Sequence, residues 1–222
     1  MRPIKKWNIG ENGIVERYIP YKNAKELLVE NIDEYCSYCE IRVGYVSLEV
    51  EHVKPKDLYE DDKTKWENFI LGCKNCNTIK GTTDVSLDDY HFPHIHNTFH
   101  SLEYLEGGLV RVNPGLERKE KLKAQKLLEL VGLDRRPGHP RLTIADKRWQ
   151  YRKNTYDLAK KYKQKLISGD VDIEVVIDLA KGYGFWSVWM KVFNDNSDVI
   201  TELIKAFKGT YLQCSTSDVN RL

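Results

Sequence analysis

Along residues 48–53 apolar and acidic positions alternate: Leu48 and Val50 are separated by Glu49 and followed by Glu51, as on a half-buried β-strand, and Pro55 stops the pattern. Upstream, residues 1–20 show no clear period and carry Arg2, Lys5 and Lys6, so they are expected to form an arm lying on another part of the molecule. Leu27, Leu28 and Ile32 recur at helical spacing and predict a helix over 23–34. The β-branched and aromatic residues from Ile41 to Val53 predict a hairpin with Gly44 near its turn. The polar stretch from Pro55 to Asn68 reads as a loop, "FILG" as a short apolar run, and "CKNCNTIKG" as a short helix ended near Gly81.

Beyond Asp84 the pattern changes. "YHFPHIHNTFH" is loop-like, and "LEYLEGGLVRVN" predicts a hairpin turning at Gly107-Gly108. Helical periods then dominate, over 117–131, 143–167, 173–181, 186–193 and 197–207, with the Pro/Gly-rich "GLDRRPGHPR" as a connection. The expected class is α+β. Residues 1–30 supply an arm and helix, 31–83 a compact core, and 84–222 a hairpin and a mainly helical C-terminal region.

A chain of 222 residues with 41 % hydrophobic and 11 % aromatic residues is long enough to bury a sizeable core, which excludes disorder of the whole chain. It has no run of about 18 apolar residues, and its first residues lack the apolar core of a signal peptide. The expectation is a cytoplasmic protein with no membrane partner. The formal net charge of +2 hides an asymmetry: residues 117–165 hold 16 Lys/Arg against 6 Asp/Glu. A solvated helix face would normally alternate the two signs, so the excess points to a polyanion partner.

Four of the five cysteines form two pairs, Cys36/Cys39 and Cys73/Cys76, with Cys214 standing alone as a small apolar residue. In a reducing compartment two CxxC pairs favour a structural Cys₄ zinc site over disulfides, and a redox motif would not need the second pair. One metal would staple the helix starting near Cys73 to the segment after Cys39. Such a staple is expected where so short a stretch cannot bury enough apolar surface alone.

Inside the stapled stretch lie the residue types a hydrolytic site requires. His52 at the strand end is a base able to take a proton from water. Glu51 and Asn77 offer hard oxygen ligands for Mg²⁺ or Mn²⁺, and a divalent ion there would stabilise charge developing on a phosphodiester. Asn68 closes the loop, and Lys80, one turn along the helix, is placed to meet a phosphate.

The stretch "CSYC…LEVEHVKP…WENFILGCKNCNTIKG" resembles the HNH endonuclease motif, a ββα-metal fold in its zinc-stapled version, over roughly 36–81. The resemblance implies that His52 is the general base, that Glu51 and Asn77 hold the catalytic metal, and that Asn68 braces the loop and orients the histidine. Glu stands at position 51 where the family more usually has Asp. Shorter pieces, "MRPIKK", "NIDEYCSYCE", "HNTFHSLEY" and "AFKGTYLQC", are similar to HNH proteins of the Septu and retron-associated phage-defence systems. That likeness implies a nuclease attacking nucleic acid, DNA rather than RNA, beside an ATPase of ABC/SMC-like type.

The competing reading is a zinc-containing module that binds nucleic acid or a partner without cutting. Glu51-His52 together with Asn77 argue against it, because a structural ribbon needs none of them. Glu49 reads as a solvated carboxylate or one that supports a ligand from outside. His94 and His96 would share a face if extended, but no acid lies among the histidines to favour a second metal site. Trp186, Trp189, Met190 and Phe193 recur at helical spacing and predict core, with a docking surface as the alternative.

Overall fold

A computed structural model describes residues 1–212; Cys214 lies outside the described residues. The first helix, α1 (Lys25–Ile32), follows a 3₁₀ turn at Tyr21–Ala24 and buries Leu28 and Ile32. Strand β1 (Leu48–His52) pairs antiparallel with β2 (Phe69–Cys73), in the register Leu48↔Cys73 to His52↔Phe69. Helix α2 (Lys74–Lys80) continues directly from β2 and ends at Gly81. These three elements form the ββα unit.

The partner of β1 differs from expectation. No hairpin forms across Gly44, because Ile41 and Arg42 are used elsewhere: Ile41 bridges Gly184 and Arg42 bridges Tyr35. The Cys36 amide donates to the Ile41 carbonyl and the Glu40 amide to the Cys36 carbonyl, closing a knuckle. The Ser37 amide donates to the Leu71 carbonyl and ties that knuckle to β2. "FILGC", entirely buried, is the second strand. Residues 53–68 are the long loop between the two.

The short helix α3 (Thr98–Ser101) leads into the hairpin of β3 (Leu102–Leu105) and β4 (Leu109–Val112), which turns at Gly107-Gly108 as the sequence predicts. Five helices follow: α4 (Arg118–Leu130), α5 (Arg148–Ile167), α6 (Ile173–Tyr183), α7 (Trp186–Val192) and α8 (Ser197–Ala206). Helix α5 starts five residues later than the period suggested. The buried Asp146 accepts from the amide and guanidinium of Arg148, and the chain from Thr143 to Lys147 is used in that turn. Asp172 and Asn196 cap α6 and α8 by accepting from the amides three residues on.

One buried cluster joins the ββα unit to the C-terminal helices. Trp186, Trp189, Met190 and Phe193 are all at its centre, so the aromatic stripe is core. The arm is built in as well: Met1, Arg2 and Ile4 are buried, Ile4 donates to the Pro93 carbonyl and bridges Thr210, and Lys5 donates to the Gly209 carbonyl. Gly184, at φ +74, holds α6 and α7 against the cysteine knuckle. A Cβ there would lie 2.5 Å from the Glu40 carbonyl, so only glycine lets the backbones touch. Glu40 in turn accepts from the Tyr104 hydroxyl and the Ser187 amide, linking knuckle, hairpin and α7. Among the described residues no helix is long and apolar enough to cross a membrane.

Candidate active site

The four cysteines meet where the knuckle faces the junction of β2 and α2. Their Sγ atoms lie within 4.8 Å of one another, all are buried, and they are the metal-sized cluster found among the described residues. Cys39 and Cys73 Sγ are 3.7 Å apart. That is far beyond a disulfide of about 2.05 Å but close to the edge of a tetrahedral ZnS₄ centre, about 3.8 Å for Zn–S bonds of about 2.3 Å. Burial pushes the Cys36 and Cys39 thiols up, so thiolates in this setting require a cation among them. The donor set therefore fits a structural zinc ion. Arg148 of α5 adds a feature the sequence hid within a basic run: Nη1 lies 3.1 Å from Cys76 Sγ while Nη2 pairs with Asp146 at 2.7 Å.

The faces of β1 separate the remaining candidates. Leu48, Val50 and His52 point one way and Glu49 and Glu51 the other, as strand alternation demands. His52 is 8 % exposed, with its ring edge-on to Tyr21 at 4.6 Å and to Phe69 at 5.2 Å. Nε2 lies 2.9 Å from the Lys63 carbonyl. A carbonyl only accepts, so Nε2 carries the proton and Nδ1 keeps its lone pair. Among the described residues no group bonds Nδ1. Burial lowers the affinity of the ring for a second proton, and the charges of Lys56 and Lys80 act in the same direction. The imidazole is thus held neutral in one tautomer, the state a general base needs.

Asn68 does not touch the His52 ring. Its Oδ1 accepts from the Lys54 amide at 2.8 Å, and its Nδ2 donates to the carbonyls of Lys54 at 3.0 Å and Asp62 at 3.2 Å. It therefore closes the two ends of the loop whose Lys63 carbonyl fixes the imidazole.

On the opposite face Glu51 is buried beside Lys80. The ammonium lies 2.9 Å from Glu51 Oε1 and donates to the His52 carbonyl at 2.7 Å. Glu51 Oε1 receives no directed hydrogen bond. Burial pushes the carboxyl up and the Lys80 charge pulls it back. Gly72, across the ladder, leaves the room this side chain needs, since a Cβ there would lie 3.0 Å from Glu51 Cβ. The expectation that Lys80 reaches a phosphate is corrected here: its side chain is 2 % exposed and its charge is used internally. Asn77, one turn earlier on α2, donates instead to Glu49.

The structure thus brings Glu51 to Lys80 and Asn77 to Glu49 on one face, with the His52 ring on the other. Glu49 comes closer to the candidate site than sequence reasoning allowed, although its i, i+2 spacing to Glu51 already put the two carboxylates on one side. Tyr21 was missed altogether, because nothing in the local pattern distinguishes it. Of the histidines at 91–100, His91 and His96 are structural in placement: His91 bonds Ser101 Oγ at 2.8 Å and Glu120 at 2.6 Å, and stacks on His96 at 4.6 Å.

An antiparallel strand pair running into a helix, stapled by four cysteines, with a neutral histidine ending the first strand and an asparagine on the helix, is the layout of one nuclease class. The HNH endonuclease family model matches residues 36–83, so the chain carries an HNH endonuclease domain. A curated relative is the Septu protein PtuB of Bacillus thuringiensis, 43 % identical over 67 residues. That match covers 29 % of this chain and 25 % of the relative, so the chain spans about a quarter of the length of the curated protein it matches.

Proposed function

We propose that the protein is a metal-dependent HNH endonuclease that hydrolyses phosphodiester bonds in nucleic acid. The observation that carries the reading is the state of His52: Nε2 is bonded to the Lys63 carbonyl, Nδ1 is left with its lone pair, and the residue ends a strand whose other face presents Glu51, Glu49 and Asn77. His52 Nδ1 takes the proton of the attacking water. Glu51 and Asn77 would hold a divalent ion, with Glu49 beside Asn77 as a further oxygen donor. The fit rests on the donors themselves: carboxylate and amide oxygens are hard ligands, and Glu51 Oε1 retains unused lone pairs. When bound, Mg²⁺ or Mn²⁺ supplies charge stabilisation at the scissile phosphate. Asn68 and Lys80 are positioning residues, the first through the 53–68 loop and the second through the Glu51 carboxylate and the His52 backbone.

The relative's name supports a finer reading of the Septu kind, and the resemblance of the shorter sequence pieces extends it to an anti-phage defence system acting on DNA rather than RNA, beside an ABC/SMC-like ATPase. The test is incubation of purified protein with plasmid and with total RNA in Mg²⁺ or Mn²⁺, comparing wild type with His52→Ala. Cleavage that needs both metal and His52 supports the nuclease and names its polymer. Binding without cleavage, unchanged by His52→Ala and by addition of any ATPase that copurifies with the protein, sinks it in favour of a non-cutting module.

A further inference from the structure

Tyr21 opens the 3₁₀ turn before α1, outside residues 36–83. Its ring packs edge-on against His52, and the residue also lines a groove with Lys22, Lys25, Glu49 and Asn77. The Lys56 ammonium lies 5.3 Å from the centre of the Tyr21 ring, and that of Lys25 lies 4.4 Å from the centre of the Tyr45 ring. Aromatic faces orient these cations without neutralising them.

Ion pairing sets this group apart from its neighbours. Lys54 and Lys65 pair with Asp62, and Lys63 pairs with Glu60. Among the described residues no carboxylate comes within ion-pair distance of Lys22, Lys25 or Lys56. Acids nearby include Glu26, four residues after Lys22 but not within ion-pair distance of it, Glu49, whose carboxylate is bonded by Asn77, and Asp57 on the His52 side. Two uncompensated cations, Lys22 and Lys25, therefore line a groove beside Glu49 and Asn77, and a third, Lys56, meets it at the Tyr21 ring that packs on His52.

We infer that Lys22, Lys25 and Lys56 hold backbone phosphates of a nucleic-acid strand lying in this groove, with Tyr21 forming its floor beside His52. The inference rests on the nuclease reading for the place of the scissile bond, but the binding itself does not require cleavage. It gives the N-terminal segment a substrate-holding role that the HNH motif does not contain.

The test measures binding of a fluorescently labelled duplex DNA to the full-length, zinc-loaded chain as salt is raised, without Mg²⁺ or Mn²⁺. Single-stranded DNA and RNA of the same sequence serve as further arms. Each phosphate deprived of its lysine lowers the slope of log K against log salt by about 0.9 for duplex DNA and about 0.7 for a single strand, so the variant K22A/K25A/K56A is expected to lose about 2 to 3 from the slope. The control K181A/K205A/K208A removes the same charge from α6, α8 and the residues just after α8, outside the basic stretch 117–165, and is expected to keep the wild-type slope. The arm with the largest loss identifies the polymer the groove takes.

A groove variant with the wild-type slope, an equal loss in both triple variants, or a wild type that binds none of the three probes would overturn the inference. The two readings fail separately. Wild type that never cleaves while the groove variant still loses slope sinks the nuclease and leaves the groove. His52-dependent cleavage that survives the groove substitutions at wild-type rate does the reverse.

Discussion

Replacing Lys80 by Met removes the counter-ion of a buried carboxylate while keeping most of the volume. Lys80 and Glu51 side chains are 2 % and 3 % exposed, their charges are 2.9 Å apart, and the same ammonium bonds the His52 carbonyl. Breaking a buried pair by deleting one partner typically costs about 3–5 kcal/mol, because the surviving charge is stranded away from water. For a chain of this size each kcal/mol shifts the melting temperature by about 2–4 °C, so Lys80→Met is expected to melt about 6–20 °C below wild type. Glu51→Gln in the same background removes the stranded charge and should return at least half of the loss. The assay is thermal unfolding by circular dichroism with zinc in slight excess and no other divalent ion. A single variant that melts with wild type, or a double variant that loses the sum of both singles, would refute the role of Lys80 as an internal counter-ion.

Further outcomes follow from the same geometry. Stripping zinc with a chelator should abolish the cooperative transition of the ββα unit and stoichiometric Zn²⁺ should restore it, since four buried thiolates carry more charge than the single cation beside them, Arg148 at Cys76, can neutralise; an unchanged melt after confirmed metal removal would contradict this. Asn68→Ala removes three hydrogen bonds that close the 53–68 loop and is expected to cost about 1–3 kcal/mol in urea titration, with faster proteolysis within that loop. Burial, together with the charges of Lys6 and His96, lowers His94 to about 3. Its folded pKa lies below the unfolded value, so its contribution is intact above about pH 6.5 and drains away as pH falls toward about 3. His94→Gln should flatten that acid limb, and equal acid sensitivity of wild type and variant would rule out His94 as its source.

How much of this was legible in sequence depends on the range of the interaction. The period of β1, the two CxxC pairs, the Gly107-Gly108 turn and the later helices are local signals, and each has its counterpart in the fold. The pairing of β1 is not local: alternation marks a strand but not its partner, and five consecutive buried residues at 69–73 carry no period that tells strand from helix. Lys80 shows the same limit at the candidate site. On a short helix a lysine in the last turn reads as free to meet a phosphate, and only the packing of α2 over Glu51 makes it an internal charge. Arg148 beside Cys76 and Tyr21 beside His52 come from segments 72 and 31 positions away from what they touch, so no motif announces them. The arm was correctly expected to lie on something, but which surface it joined, the 207–211 segment and Pro93, required the fold.

In the proposed function the two faces of β1 would divide the labour, with proton transfer by His52 on one and metal retention by Glu51 and Asn77 on the other. Single-turnover cleavage of the preferred polymer, followed as Mn²⁺ is titrated, measures both at once for wild type, His52→Ala and Asn77→Ala. The expected result is a maximal rate about 10²–10⁴-fold lower for His52→Ala at an unchanged Mn²⁺ midpoint, and a midpoint shifted to higher Mn²⁺ for Asn77→Ala. His52→Ala cleaving at the wild-type rate, or Asn77→Ala retaining the wild-type midpoint, would contradict it.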